Sequence, residues 1–294
     1  MNIKQHSIQL FYPILLTSFA FVFSSNLLAQ ELTPATEAGE DFDLYAAIGL
    51  FEEAEDLEDY EKKLNEDSND VNNLDLNDDD EVDVVKLVEY SEDNTHLIVI
   101  QAVISETEVQ DIATIEIEKH AEDQISLQFI GDEEIYGKDY IIEPAPEEGS
   151  ISKSRILAVF VSVHLWRPVR VIYTPGRVVF VSRVVWRPRP GWYRMRRPVA
   201  RSSWRARANR WHSPRYRSAK SRHSVRGRNM YNTKRKTSPT AKKHYGSKPG
   251  HSTGPSNQNK KPVTTQQKGH SPSQQKSKST QPQQQKKKSQ PKRR

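Results

Sequence analysis

The sequence predicts an α+β fold: two short helices on an antiparallel β-meander, followed by a β-hairpin-like basic repeat and a disordered basic tail. Three observations carry this expectation. Apolar residues recur at helical spacing from Phe42 to Leu64, alternate with period two between Val82 and Ile142, and become sparse after Arg228. Only 35% of the 294 residues are hydrophobic, which leaves enough apolar side chain for one modest core.

The N-terminus comes first in chain order. Lys4 and His6 precede an apolar run from Ile8 to Phe23, and Ser24-Ser25-Asn26-Leu27-Leu28-Ala29 follows. Residues 1–29 therefore read as a secretory signal peptide cleaved after Ala29, so that the mature chain starts at Gln30 and is exported to the periplasm, the outer surface or the medium. The competing reading is an uncleaved anchor, because the run approaches spanning length; Pro13 and the small Ala29 favour cleavage. With no cysteine in the chain, a lipid anchor at that junction, a disulfide framework, a zinc-cysteine site and a thiol nucleophile are all excluded.

Residues 30–41 are a short linker, and residues 42–144 an acidic α+β module. Leu44, Ile48 and Phe51 mark one helix, and Leu57, Tyr60 and Leu64 a second one that Asp56 is placed to cap. Beyond an Asn/Asp-rich loop, strands are expected at Val82–Tyr90, Leu97–Ile104, Val109–Glu118, Ile125–Ile130 and Tyr140–Ile142. Ile98, Ile100, Ala102 and Ile104 share a face, as do Ala113, Ile115 and Ile117, and that face is expected under the helices.

Residues 151–190 differ in kind. Val159–Pro168 and Val179–Pro188 match at seven of ten positions with an offset of twenty, each ending in Trp-Arg-Pro, and Thr174-Pro175-Gly176 lies between them. Two strands stopped by proline and joined by a turn are expected, although a Val/Arg-rich segment also matches itself by chance. In residues 191–228 arginine alternates with Trp and Tyr. Residues 229–294 are Lys, Gln, Ser, Pro and Thr with five apolar side chains, and read as disordered.

Charge separates the halves more sharply than hydropathy does. All 38 acidic residues lie between Glu31 and Glu148, whereas residues 1–150 hold only six of the 44 basic ones; the formal charge of +6 thus combines −32 with +38. The two halves are expected to touch each other, and a polyanion is the expected external partner: lipopolysaccharide phosphate, acidic polysaccharide or extracellular DNA. Guanidinium pairs bidentately with phosphate and tryptophan stacks on flat groups. The candidate binding residues are accordingly Trp166, Arg167, Arg170, Trp186, Arg187, Arg189, Trp192, Arg194, Arg196, Arg197, Trp204, Arg205, Arg207 and Trp211. A merely solubilising tail is the plainer alternative, but it has no need of tryptophan.

A second candidate site is the loop Asp75-Leu-Asn77-Asp-Asp79-Asp80-Glu81-Val82-Asp83, which resembles the calcium loops of dockerin, EF-hand and thrombospondin type 3 proteins over nine residues. The resemblance implies calcium held by Asp75, Asn77, Asp79 and Asp83 side chains and the Glu81 carbonyl, since a hard cation takes six to eight oxygens. Asp80 stands where those loops have glycine, and Lys86 where a full EF-hand has its bidentate glutamate. The alternative is a solvated acidic turn.

No G-x-S-x-G, H-E-x-x-H or phosphate-loop pattern occurs, and His96 and His120 read as lone surface imidazoles. The expected class is non-enzymatic. From Asn73-Leu74-Asp75-Leu76-Asn77 through Asp139-Tyr140-Ile141-Ile142-Glu143-Pro144 to the Arg/Trp/Pro-rich second half, the layout resembles a group of uncharacterised exported proteins of Bacteroidetes-type bacteria. That resemblance implies an envelope or secreted location and no activity. A different class of function, a membrane-active cationic effector masked by its own acidic module, fits the same charge pattern.

Overall fold

A computed structural model describes residues 32–145 and 163–245. The expectations for residues 1–29, for the start of the first repeat and for the tail beyond residue 245 lie outside the described residues. Both anticipated helices form, and aspartates start them. In α2 (Leu44–Glu53) the Asp43 carboxylate accepts the Ala46 N–H at 2.9 Å, and in α3 (Leu57–Asn65) Asp56 accepts that of Asp59 at 2.9 Å. Glu58 and Asp59 in the first turn of α3 and Lys62 and Lys63 in its last complement the helix dipole. A single turn, α1 (Glu37–Glu40), precedes them.

The meander comes next as β1 (Val85–Glu92), β2 (Thr95–Val103), β3 (Val109–Ala121) and β4 (Gln124–Gly131); β5 (Ile141–Pro144) comes after a one-turn α4 (Glu133–Tyr136). Neighbouring strands are antiparallel and in sequence order. Ile98 faces Ile115, which in turn faces Phe129, so the expected apolar stripe runs across the sheet. A register shift after Ile100 sets Gln101 opposite Asp111. Helices α2 and α3 cover the stripe, with Phe51 edge-on to Tyr60 at 5.1 Å and to Phe129 at 5.9 Å. The protein is α+β.

The sheet does not end with the acidic module. Beyond two helices of the basic half, α5 (Arg167–Ile172) and α6 (Arg201–Ala208), a sixth strand, β6 (Tyr216–Ser218), pairs with β5, setting Arg217 opposite Glu143. Both faces are covered, where the sequence suggested one. The second face carries Leu97, Val99, Gln101, Asp111, Thr114, Glu116, Gln128 and Glu143, all buried, and residues from the basic half lie across it. In α7 (Val225–Lys234), capped by Ser224, Met230 and Tyr231 pack on Leu97 and Val99. In α8 (Pro239–His244), Ser238 accepts the Ala241 N–H, and Ala241 and Tyr245 join the main core.

Two expectations are corrected here. The first repeat does not form a strand where it is described: Val163–Leu165 is a 3-10 turn and Arg167–Ile172 is α5, with Trp166 buried against Phe51. Pro168 sits in the first turn of α5, where its missing N–H costs nothing, and Val169 and Ile172 bury one helical face. The second repeat stays extended because Pro190 and Gly191, one residue beyond its Trp-Arg-Pro, forbid the same helix. Its single antiparallel bridge joins Val181 to Val88 of β1, so no hairpin forms between the repeats among the described residues. The second correction concerns residues 229–245, expected to be disordered, which lie in α7 and α8 and the turn between them. The cap-and-proline pair Ser238-Pro239 is a sequence signal for the second of these helices.

Candidate functional site

Most of the arginines and tryptophans singled out in the sequence occupy an interface between the basic half and the acidic one. Several carboxylates at this interface have buried side chains. Glu89 receives both Arg177 Nη atoms at 2.8 Å, His96 Nδ1 at 2.8 Å and the Phe180 N–H. Asp132 takes Arg235 at 2.7 and 2.9 Å and the Tyr231 hydroxyl at 2.8 Å. Glu143 takes Arg217 at 2.8 Å, Gln128 at 2.8 Å and His223 Nε2 at 2.8 Å. Glu116 pairs with Arg222 beneath Gly227, where any Cβ would come within 2.8 Å of the Glu116 carboxyl carbon.

Burial by itself raises a carboxyl's pKa, so the partners decide the outcome. At Glu89 burial is outweighed by hydrogen bonds from His96, Arg177 and the Phe180 N–H, which hold the carboxyl at about 2. Burial is likewise outweighed at Glu143 by His223, Gln128 and Arg217, leaving its pKa below the ordinary value. Burial prevails at Glu116, whose Oε2 has no hydrogen-bond partner, and at Asp111, which is pushed up to about 6. His96 is thus a buried partner of Glu89 rather than a lone surface imidazole, while His120 reaches Ser126 Oγ at 3.0 Å.

The expected binding residues divide by what they touch. Trp204 is buried and its Nε1 donates to the Glu40 carbonyl at 2.9 Å; Trp211 Nε1 donates to that of Asn69 at 2.8 Å, its ring filling the space beside Gly49. Trp186 and Trp192 pack on a small cluster of Val84, Val103, Val184 and Tyr193, and Arg187 and Arg189 lie over the Trp186 ring at 5.4 and 4.7 Å. Arg205 pairs with Glu40, Arg207 with Asp70 at 2.7 Å, Arg167 with Glu55 at 3.0 Å, Arg187 with Glu81 at 3.5 Å, and Arg196 with Asp67 at 3.5 Å. Arg170, Arg194 and Arg197 are exposed. Sequence reading missed Arg177, Arg217, Arg222 and Arg235, which carry the most buried pairs; nothing in the local pattern distinguishes them from their neighbours.

At the 75–83 loop the acids cap the backbone. Asp75 accepts the N–H groups of Asp79 and Asp80 at 3.1 Å each, Asp79 that of Glu81 at 3.0 Å, and the buried Asp83 that of Leu76 at 2.6 Å. Asp78 and Asp80 take left-handed backbone, at φ 58° and 63°, which aspartate tolerates better than most residues. Burial pushes the Asp75 carboxyl up and the Asp83 carboxyl well up, and in both cases neighbouring carboxylates add to the shift. Asn77 turns its amide to the Ile104 carbonyl at 3.1 Å. Among the described residues no three His, Asp or Glu side chains converge as a metal-ligand set. The loop borders an open cleft of about 600 Å³ that also includes Glu37, Asp41, Arg197 and Arg201.

No protein-family model, curated protein or solved structure matches this chain. Among the described residues no helix is long and apolar enough to cross a membrane.

Proposed function

We propose that the protein is a non-enzymatic exported envelope or matrix protein that binds anionic polymers through its basic C-terminal segment. The observation that supports this reading is how charge is distributed. The described residues hold 35 acidic and 29 basic side chains, a net of −6, and the carboxylates engage many of the arginines between Arg167 and Arg235. Residues 246–294 add twelve Lys and Arg and no acid. That segment has no acid of its own, so it is where an anionic polymer would meet an excess of positive charge, with Arg170, Arg194 and Arg197 as exposed additions. The alternative of a masked membrane-active effector is weakened by the tryptophans, because Trp166 and Trp204 are taken up in packing.

The test is affinity for heparin of residues 30–294 against residues 30–245 at two salt concentrations. Removing the tail should weaken binding about a hundredfold at 50 mM salt and flatten the salt dependence, because each released counterion contributes roughly one unit of slope or slightly less. Equal affinities would overturn the proposal.

Calcium at the loop is a second reading, favoured by the repulsion that Asp75 and Asp79 exert on the buried Asp83 carboxyl, which an ion would relieve. Millimolar calcium should then raise the Tm of residues 30–294 by a few degrees relative to EDTA, since a ligand bound only by the folded state stabilises it. Asp75→Ala with Asp79→Ala should remove the rise. Equal Tm values in calcium and EDTA would leave the loop as a self-capped turn.

A further inference from the structure

The second repeat forms an amphipathic edge. Residues 179–185 run extended beside β1, and the bridge to Val88 fixes which side chains turn inward. Phe180 packs against the main core and its N–H meets Glu89, Ser182 reaches Glu61, and Val184 is buried among Val84, Val103 and Tyr193. The alternate positions turn out: Val179 is 42% exposed, Val181 77% and Val185 50%, with exposed Arg183 between them. Val178 adds another valine at 82%. Across the bridge, Lys86 and Tyr90 flank Val88 on β1, and Lys234 Nζ stands 5.5 Å above the Tyr90 ring. Among the described residues no carboxylate forms an ion pair with Arg183, Lys86 or Lys234, although the body as a whole has an excess of acid.

We propose that this outward row docks the protein on an anionic lipid surface, with Val179, Val181 and Val185 entering the headgroup boundary and Arg183 pairing with lipid phosphate. The composition of the row points to this occupant. Exposed valines lined up along one extended segment form an apolar row of the kind that marks a contact surface. A second copy of the same row fits poorly, because antiparallel self-pairing brings Arg183 toward its own counterpart with no acid to offset it. Apolar side chains interleaved with unpaired cations suit the boundary between anionic headgroups and acyl chains. The site is separate from the C-terminal segment proposed to bind polymer.

Because the chain has no cysteine, Val181→Cys can carry a single environment-sensitive fluorophore. Full-length mature protein would be mixed with phosphatidylglycerol/phosphatidylcholine vesicles in 0.5 M NaCl, where a Debye length of about 4 Å suppresses attraction through the tail. The expected result is a blue shift at position 181 on vesicles, none for a label at Glu58→Cys, and none with vesicles of phosphatidylcholine alone. Val179→Ser, Val181→Ser and Val185→Ser together should lower vesicle affinity at least about tenfold while heparin affinity and Tm stay unchanged. Co-sedimentation with the position-181 label still in water would assign membrane binding to the tail and overturn the proposal. A concentration-dependent blue shift without vesicles would overturn it in favour of a second copy.

Discussion

A chain cut after Ser150 should show no cooperative thermal transition, whereas residues 30–245 should unfold in one sharp step. The cut removes Val163, Trp166, Val169, Ile172, Tyr216, Ala241 and Tyr245 from the main core, and the buried Trp204 beside it. Fully burying one large apolar side chain contributes roughly 1.5–3 kcal/mol, so the five largest alone supply on the order of 10 kcal/mol. A whole domain is stable by only about 5–15 kcal/mol. Charge acts in the same direction, because residues 30–150 alone carry 38 acids against five bases, a net of −33, and self-repulsion opposes compaction. Salt should reduce the repulsion but not restore the transition, since the apolar loss does not depend on ionic strength. Circular dichroism melts of the two lengths in 0.05 and 0.5 M NaCl decide it. A sharp melt of residues 30–150 near the Tm of the longer chain would mean that the acidic module is an independent domain and the basic half an accessory to it.

The contrast between the halves explains what could be read in advance. In the acidic half the signals are local: Asp43 and Asp56 sit one residue before their helices, and alternation such as Ile98, Ile100 and Ala102 is set by a strand's own geometry. Those elements appear within a few residues of where the pattern places them. The basic half takes its structure from side-chain hydrogen-bond partners 56 to 169 residues away, as in Arg201 to Asp41 or Trp204 to Glu40, and no periodicity encodes such a contact. Arginine and tryptophan at high density look like a surface for an external ligand. They prove to be largely a lining, because the acids they meet were supplied earlier in the same chain. The identical copies of Trp-Arg-Pro also mislead. The residues immediately C-terminal to them, Val169-Arg-Val-Ile172 in one copy and Arg189-Pro-Gly191 in the other, decide between helix and extended chain.

The largest effect of a single substitution is expected at Arg177. Arg177→Met would leave the Glu89 carboxylate buried with only His96 and one backbone N–H, and removing one partner of a buried ion pair costs about 3–5 kcal/mol. For a folded unit of this size that is a fall in Tm of about 8–15 °C at pH 7. The pH dependence has a definite sign. Glu89 is held at about 2 in the folded protein against an ordinary 4.5, so its contribution is fully present above pH 4.5 and is lost as the pH falls toward 2. At roughly 1.4 kcal/mol per pH unit, that contribution is about 3 kcal/mol. The gap between wild type and Arg177→Met should therefore be widest near neutrality and close progressively below pH 4.5. Adding Glu89→Gln to Arg177→Met should recover part of the loss at pH 7, because a neutral amide no longer leaves a charge stranded beside His96. A gap that widened with acid, or a Tm within one degree of wild type at pH 7, would show that the Arg177–Glu89 pair does not hold the second repeat against β1.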